Sequence, residues 1–262
     1  MRATAFFLNS LDSLYRLTNQ SDSKNTGIHS SMKPKFIIVG SQRTGTTLIN
    51  ESLSFHSELN VTFEALHEDP QKGNTAWREN YNFKNDKDYI RHLFENYNGF
   101  KVLYHQLPTS HSLWKHIDCQ VVHVTRSNLA EIVVSRELCL RSNIWQNRTN
   151  KSFSKGNEPV FISPKSLEEK MNELEVKKLQ FKKFLTQFDT KTVKYEEIID
   201  NWDVFIESIC KFLKIKNEKL PQTTKKRTKP LTKVLSNFDE HKSYFKGTSF
   251  EKFFQTDCPY FL

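Results

Sequence analysis

A loop between residues 40 and 47 contains residue types that bind phosphate or sulfate groups. The apolar, β-branched run Phe36 to Val39 is typical of a buried strand, and Thr46 to Ser54 has the pattern of a helix. Between them, Gly40 and Gly45 stand five positions apart, as in the nucleotide-binding pattern G-x-x-x-x-G-K-[ST]. In such a strand-loop-helix unit the loop amides and the helix N-terminus point at one spot. The sequence therefore predicts an anion site there.

One departure from that pattern bears on the reaction. Thr46 occupies the lysine position, and the cation of the loop is instead Arg43. A nucleoside triphosphatase needs the lysine across its β- and γ-phosphates, together with a metal ion. A P-loop kinase or nucleotide hydrolase without this lysine is an alternative, and it requires an acidic metal ligand at the end of a core strand. The predicted strand Val121 to Thr125 runs instead into Arg126, which argues against that alternative.

Strand-like and helix-like segments alternate along the chain, which indicates a mostly parallel sheet covered by helices on both faces. Ser163 and Pro164 supply an N-cap and a first-turn proline for a long amphipathic helix that continues to Phe188. Further strands are predicted at 100–104, 120–125 and 192–195, and further helices at 129–145 and 202–213. The predicted fold is α/β and P-loop-like, with three layers. One domain is expected over residues 35–262, after an amphipathic segment and linker over residues 1–34.

The composition of the 262-residue chain narrows its class. Hydrophobic residues make up 37%, enough for a core, and a mean hydropathy of −0.64 without a long apolar run predicts no membrane span. Four scattered cysteines predict neither a zinc site nor a disulfide framework. A net charge of +9 fits an anionic partner, so a nucleic-acid binder using the lysine-rich region 211–233 is a second alternative. That region lacks the interleaved aromatic residues of a base-stacking platform.

The loop Gln42-Arg43-Thr44-Gly45-Thr46-Thr47 resembles the 5′-phosphosulfate-binding loop of sulfotransferases that use 3′-phosphoadenosine 5′-phosphosulfate (PAPS). It looks most like the bacterial carbohydrate-type branch, exemplified by the trehalose and Nod-factor sulfotransferases. The resemblance implies that these residues bind the donor without a metal ion, and that 3′-phosphoadenosine 5′-phosphate (PAP) is the product. It covers about residues 34–254, with further similar segments at 99–102 and 195–198.

The same resemblance assigns a second group of nucleotide-binding residues. In sulfotransferases an arginine at a strand end and a serine on the next helix bind the 3′-phosphate, and Arg126 and Ser135 match them. Their spacing is nine residues where eight is usual, and one extra residue turns a helix by about 100°. The match therefore requires the extra residue to lie before the helix, around Ser127-Asn128. Lys226 and Arg227 are expected to close over the nucleotide.

Sulfuryl transfer to a hydroxyl needs a base for the acceptor, stabilisation of the developing charge, and in-line alignment. Candidate bases are Glu64, His67, Glu68 and His105. Glu64 is favoured because the bacterial branch has a catalytic glutamate in a segment similar to Thr-Phe-Glu-Ala-Leu. Lys101 is expected to lend positive charge to the leaving phosphate or to the transferring sulfuryl group if its side chain points to the loop, and strand alternation leaves open which face of the sheet it takes.

The resemblance implies a PAPS-dependent sulfotransferase that acts on a hydroxyl of a carbohydrate, lipid or small metabolite. A cytoplasmic protein is expected because no N-terminal anchor is predicted. Loop sequences do not reveal the acceptor's shape, so the acceptor and the oligomeric state stay open at this point.

Overall fold

The computed structural model describes residues 33–66, 86–106, 117–142, 158–223 and 229–255. Within them the strands are β1 Phe36–Gly40, β2 Val61–Thr62, β3 Gly99–Leu103, β4 Gln120–Thr125 and β5 Thr190–Lys194. These strands form one sheet in the order β2-β3-β1-β4-β5, and every neighbouring pair is parallel. Because all strands run the same way, their carboxyl ends and the segments that follow them meet at one edge of the sheet.

Helices account for most of the remaining described residues. They are α1 Thr46–Leu53, α2 Asp86–Asn96, α3 Leu129–Ser142, α4 Pro164–Leu185, α5 Tyr195–Asp200, α6 Trp202–Leu213, α7 Leu231–Val234 and α8 Phe238–Tyr244, followed by a 3₁₀ turn at Glu251–Phe253. The predicted start of α4 is confirmed, since the Ser163 hydroxyl accepts a hydrogen bond from the Ser166 amide at 3.3 Å. No helix in the described parts of the chain is both long and apolar enough to cross a bilayer.

Alternate residues of the central strand β1 enter two separate cores. Ile37 and Val39 pack on the face covered by α2 and the C-terminal half of α4. Phe36 and Ile38 pack on the opposite face, which α1 and α6 cover. With both faces covered, all five residues of β1 are buried. The predicted α/β, three-layer fold with a parallel sheet is confirmed.

A third core holds the C-terminal part of the chain against α3 and the first half of α4. Val134 and Met171 contribute from these two helices, and Phe245 and Phe254 contribute from the C-terminal segment. Val160 and Leu235 form an isolated parallel bridge beside this core. The C-terminal segment therefore supports α3, the helix that carries Ser135.

Several element boundaries and one helix differ from the sequence-based expectations. Strand β3 begins at Gly99, β5 begins at Thr190, and α4 ends at Leu185. Helix α2 was not predicted, although Tyr89, Ile90, Leu93 and Phe94 have helical spacing and are all buried. The division at residue 34 stays a prediction, because residues 1–32 lie outside the described part of the chain.

Candidate active site

The loop between β1 and α1 is a tight turn that depends on two glycines. A Cβ on Gly40 would lie 2.7 Å from the Val124 carbonyl oxygen and 2.7 Å from Oγ1 of Thr44, so the loop approaches β4 closely only with glycine there. Gly45 has φ 93° and Arg43 has φ 66°, both left-handed. Thr44 Oγ1 donates to the Ser41 carbonyl at 2.8 Å and closes the turn. The backbone therefore holds Arg43 at the apex of the loop.

Helix α1 presents its N-terminus without a side-chain cap. Gly45 is the N-cap residue and makes no side-chain capping hydrogen bond, and no acidic residue lies in the first turn. The first amides of a helix have no partner within the helix, and the helix dipole is positive at this end. Thr46 is buried in this first turn and Thr47 is half-buried. The arrangement suits an anion, as the sequence predicts.

Arg43 connects this loop to the second predicted phosphate-binding pair. Its Nε donates to Oγ of Ser135 at 3.0 Å, and its carbonyl accepts a hydrogen bond from Nη1 of Arg126 at 3.3 Å. Helix α3 begins at Leu129, so Ser127 and Asn128 precede it and Ser135 points towards the loop. The extra residue between Arg126 and Ser135 can therefore lie before the helix, as the nine-residue spacing requires. Binding of a 3′-phosphate by this pair stays a prediction.

Arg126 is buried in surroundings that the sequence did not reveal. Its Nη2 pairs with the Glu131 carboxylate, and its guanidinium carbon lies 4.8 Å from the centroid of the Tyr195 ring. Its Nε is buried and has no hydrogen-bond partner among the described residues. Burial lowers the pKa of Arg126, and the like charge of Arg43 lowers it further. An anion bound beside this guanidinium would raise the pKa of Arg126 and so oppose both effects.

Glu131 is a site residue that sequence reasoning missed. The signal in the sequence was Asn128-x-x-Glu131, which reads as a helix N-cap, and the Asn128 side chain does accept a hydrogen bond from the Glu131 amide at 3.0 Å. Only packing shows that the Glu131 carboxylate turns back to Arg126.

Lys101 lies on the face of β3 that is directed towards α1. Its Nζ donates to Oγ1 of Thr47 at 2.8 Å and is 2.5 Å from Oε1 of Glu64. The same ammonium lies 4.1 Å from the centroid of the Phe63 ring. Burial lowers the pKa of Lys101, and the Glu64 carboxylate opposes that shift. Lys101 therefore joins the anion-binding loop to the favoured base candidate.

Glu64 is held through both carboxylate oxygens. Lys101 contacts Oε1, and Nε2 of Gln106 donates to Oε2 at 2.9 Å. The Glu64 side chain is 14% exposed, so it lies at the edge of the buried cluster. His105 is exposed in the turn after β3, while His67 and Glu68 lie outside the described residues. Glu64 is the described base candidate whose carboxylate contacts Lys101, and Lys101 in turn donates to Thr47 at the start of α1.

Three predicted site residues remain, and the structure describes only one of them. Gln42 is half-buried within the loop. Lys226 and Arg227 lie outside the described residues, so their role stays a prediction. In the described ranges, no three His, Cys, Asp or Glu side chains are clustered so as to hold a metal ion.

A second buried polar pair lies beneath the loop. The Tyr104 hydroxyl is 2.5 Å from Nε2 of His123, and the Tyr104 amide donates to the Gly40 carbonyl at 3.0 Å. Nδ1 of His123 is 3.3 Å from Oγ1 of Thr192. Burial lowers the pKa of His123 to about 4 and raises the pKa of Tyr104. The imidazole is therefore neutral at pH 7 and ties β3, β4 and β5 together.

Comparison with known proteins gives likenesses to solved structures alone, since no family model and no curated protein matches the chain. A sulfotransferase from Alicyclobacillus acidocaldarius is 18% identical over 81% of this chain and 91% of that chain, with a TM-score of 0.48. The sulfotransferase domain of the Synechococcus PCC 7002 olefin synthase is 15% identical over 84% and 87%, with a TM-score of 0.47.

A third similar structure is mouse sulfotransferase SULT7A1 complexed with PAP. It is 13% identical over 72% of this chain and 61% of that chain, with a TM-score of 0.43. None of the three names a carbohydrate acceptor, so the bacterial carbohydrate-type branch stays a prediction. These partial likenesses leave the function to be inferred from the residues of the site.

Proposed function

We propose that this protein is a sulfotransferase that moves a sulfuryl group from PAPS to a hydroxyl group of an acceptor. The observation that carries the proposal is the contact of Arg43 with both Ser135 and Arg126. This contact makes the anion-binding loop continuous with a second cationic site at the carboxyl end of β4. A nucleotide with charged groups at both its 5′ and 3′ positions fits two adjoining anion sites.

The chemistry of the side chains fits such a donor. On the 5′ side, the uncapped start of α1 offers backbone amides, and the loop residues that we expect to bind there are Gln42, Arg43, Thr44, Gly45, Thr46 and Thr47. On the 3′ side, the buried Nε of Arg126 lacks a partner among the described residues, and Ser135 supplies a hydroxyl. Guanidinium groups pair with phosphate through short, charge-assisted hydrogen bonds.

The proposed reaction is an in-line displacement at sulfur. The acceptor oxygen forms a bond to sulfur as the bond between sulfur and the 5′-phosphate oxygen breaks. The electron pair of the broken bond leaves on that phosphate oxygen, and PAP is the product. The acceptor hydroxyl gives its proton to Glu64, which becomes neutral. A positioned general base of this kind contributes about 10²- to 10⁴-fold to the rate.

In this proposal Lys101 and Arg43 stabilise the negative charge that develops on the leaving oxygen. Lys101 Nζ already reaches Thr47 in the first turn of α1, and Arg43 lies at the loop apex. Fixed positive charges in a site with little water stabilise such a transition state more than they would in water. The contact between Lys101 and Glu64 also keeps base and donor site adjacent.

Two residues weigh against the nucleotide kinase or hydrolase alternative. Thr46 stands where that class needs lysine, and Arg126 follows β4 where an acidic metal ligand is required. This alternative and the nucleic-acid alternative are distinguished by the ligand experiment below.

The first test is thermal unfolding of the full chain with PAP, and separately with ATP and magnesium. A ligand at a hundred times its dissociation constant stabilises by about 2.7 kcal/mol, a rise of roughly 5–10 °C for a chain of this size. We expect this rise with PAP in the absence of added metal. A rise with magnesium-ATP alone would support the kinase alternative. If neither ligand stabilises the protein, the proposed donor site is wrong, and the salt dependence of oligonucleotide binding should be measured.

The PAP affinities of two arginine variants test whether PAP binds at the loop. Arg43→Ala should weaken PAP binding about 10- to 100-fold, because hydrogen bonds to charged groups contribute about 1.5–3 kcal/mol. Arg136→Ala removes the same charge from the exposed side of α3, next to Ser135, and should leave the affinity unchanged. Equal affinities of the two variants, measured by calorimetry, would exclude the loop as the PAP site.

A further inference from the structure

We infer that Gln106 is a positioning residue that holds the Glu64 carboxylate in place as the base, an inference that rests on the proposed sulfotransferase function. Gln106 is buried in the turn after β3, and its Nε2 donates to Oε2 of Glu64 at 2.9 Å. Lys101 holds the other oxygen, Oε1, at 2.5 Å. Both donors belong to β3 or the turn that follows it, so one rigid strand sets the orientation of the carboxylate.

The side chain of Gln106 is anchored by the sheet independently of Glu64. Its Oε1 accepts a hydrogen bond from the Leu103 backbone amide at 2.9 Å, and the backbone amide of Gln106 donates to the Leu103 carbonyl at 2.8 Å. Successive amides of a strand point to opposite sides, and the Tyr104 amide bonds to Gly40 on the β1 side. The Leu103 amide therefore points to the other side, where β2 has already ended at Thr62. Gln106 supplies the acceptor that the short β2 strand does not provide.

This anchoring also decides which end of the Gln106 amide faces Glu64. The Leu103 amide is a donor only, so the carbonyl oxygen of the Gln106 side chain must face it. The NH₂ group then faces the Glu64 carboxylate. Because β2 ends early, the Leu103 amide bonds to the Gln106 side chain, and this fixes the Gln106 NH₂ group as a hydrogen-bond donor to the base. Because a misplacement of about 1 Å in a reacting group can cost about 10²-fold in rate, this donor matters for turnover.

Two substitutions of Gln106 distinguish its contact with Glu64 from its contact with the Leu103 amide, which supports the turn. Gln106→Glu keeps an oxygen to accept the Leu103 amide and places a second carboxylate against Glu64. Gln106→Leu removes both contacts. The matched control is Gln120→Glu, because Nε2 of Gln120 also donates to a carboxylate, Oδ2 of Asp189, at 2.9 Å. That contact lies at the amino end of β4, at the opposite edge of the sheet.

The first measurement is a ¹³C NMR titration of the Glu64 carboxyl, assigned by its absence in Glu64→Gln and recorded with and without PAP. Loss of a hydrogen bond to a charged group should raise the titration midpoint by roughly 1 to 2 pH units in Gln106→Leu. The like charge should raise it at least as far in Gln106→Glu. Lys101 contacts Glu64, and the charges of Arg43 and Glu51 shift the pKa of Lys101. Lys101, Arg43 and Glu51 are therefore not substituted in any variant.

Unchanged midpoints in Gln106→Glu would overturn the inference, as would an equal shift in Gln120→Glu. If Gln106→Leu fails to fold, Gln106→Glu decides the question, because it retains the acceptor for the Leu103 amide.

The second measurement is turnover of PAPS with a panel of hydroxyl acceptors. Both Gln106 variants should lower kcat about 10²-fold while the affinity for PAP is unchanged. Full kcat in these variants, beside an inactive Glu64→Gln, would overturn the positioning role and leave the proposed function intact. If the wild-type chain transfers no sulfuryl group to any acceptor, the proposed function fails, and the titration still decides whether Gln106 holds Glu64.

Discussion

Arg126 and Glu131 form an ion pair at the carboxyl end of β4 in which both side chains are buried, at 3% and 6% exposure. Arg126 also donates to the Arg43 carbonyl and lies over the Tyr195 ring. Removing one partner of a buried ion pair leaves the other charge without water or counter-charge. Glu131 therefore both stabilises the fold and neutralises the Arg126 charge that an anionic ligand would otherwise contact.

Glu131→Gln should destabilise the protein by about 3–5 kcal/mol, because Arg126 keeps its buried charge. Glu137→Gln on the same helix removes an ion pair with Lys170 at 2.7 Å that is partly exposed, and it should cost about 1 kcal/mol or less. Urea unfolding of both variants at pH 7 measures the difference. Equal costs would mean that Arg126 finds another partner.

The same variant links stability to the proposed ligand. With the Glu131 charge removed, a phosphate of PAP becomes the anionic partner of Arg126. Saturating PAP should therefore raise the melting temperature of Glu131→Gln more than that of the wild-type protein. A smaller rise in the variant would place the PAP phosphates away from Arg126.

Glu64→Gln should lower turnover by about 10²- to 10⁴-fold and leave PAP affinity unchanged, because it removes the proposed base. The amide is close in size to the carboxylate, but it keeps only one oxygen, so it accepts at the position of Lys101 or at that of Gln106 and not at both. Glu95→Gln on α2 is the control, since that carboxylate is 73% exposed. Full activity in Glu64→Gln would move the base to His105, or to His67 or Glu68.

Gly45→Ala should destabilise the loop more than an ordinary glycine substitution does. The new Cβ would lie 2.6 Å from Cδ2 of Tyr195, in a residue with φ 93°. Gly247→Ala is the matched control, because Gly247 has φ 78° and no atom of the described residues lies within 4 Å of its Cβ position. The left-handed conformation costs about 1–2 kcal/mol in both, and the clash should add about 1–3 kcal/mol at Gly45. Equal unfolding free energies would show that Tyr195 moves aside freely.

His123 should make the protein less stable as the pH falls. Its pKa is lowered from 6.5 to about 4 in the fold because the imidazole is buried. Below pH 6.5 the unfolded chain binds a proton that the folded chain does not, so stability falls until about pH 4. The loss amounts to about 3 kcal/mol.

The test compares urea unfolding at pH 7 and pH 4.5 for the wild-type protein and His123→Asn. The variant should lose less stability on acidification, because it lacks this titrating group. His92→Asn on α2, where the side chain is 25% exposed, is the control for the loss of a histidine. If acidification affects His123→Asn and the wild-type protein equally, His123 takes up its proton without unfolding.

Local patterns in the sequence were sufficient for the fold class and for the position of the tight loop between β1 and α1. Strand and helix periodicities depend on residues within about a dozen positions, and capping signals such as Ser163-Pro164 act within one helical turn. The loop chemistry is equally local, since Gly40, Arg43 and Gly45 belong to one turn. Helix α2 was not predicted, although its buried apolar residues have helical spacing in the sequence.

Tertiary structure alone decided which side chains meet in the candidate site. Arg43 and Ser135 are 92 residues apart, and Lys101 and Thr47 are 54 apart, so no sequence period relates them. Strand alternation allowed Lys101 either face of β3, and only the packing of α1 placed its ammonium beside Thr47 and Glu64. Gln106 meets Glu64 across 42 residues of sequence, whereas Glu131 lies five residues after Arg126 and only the local folding at the start of α3 turns its carboxylate back. The residue types for the chemistry are thus legible in the sequence, whereas their pairing depends on the register and layering of distant elements.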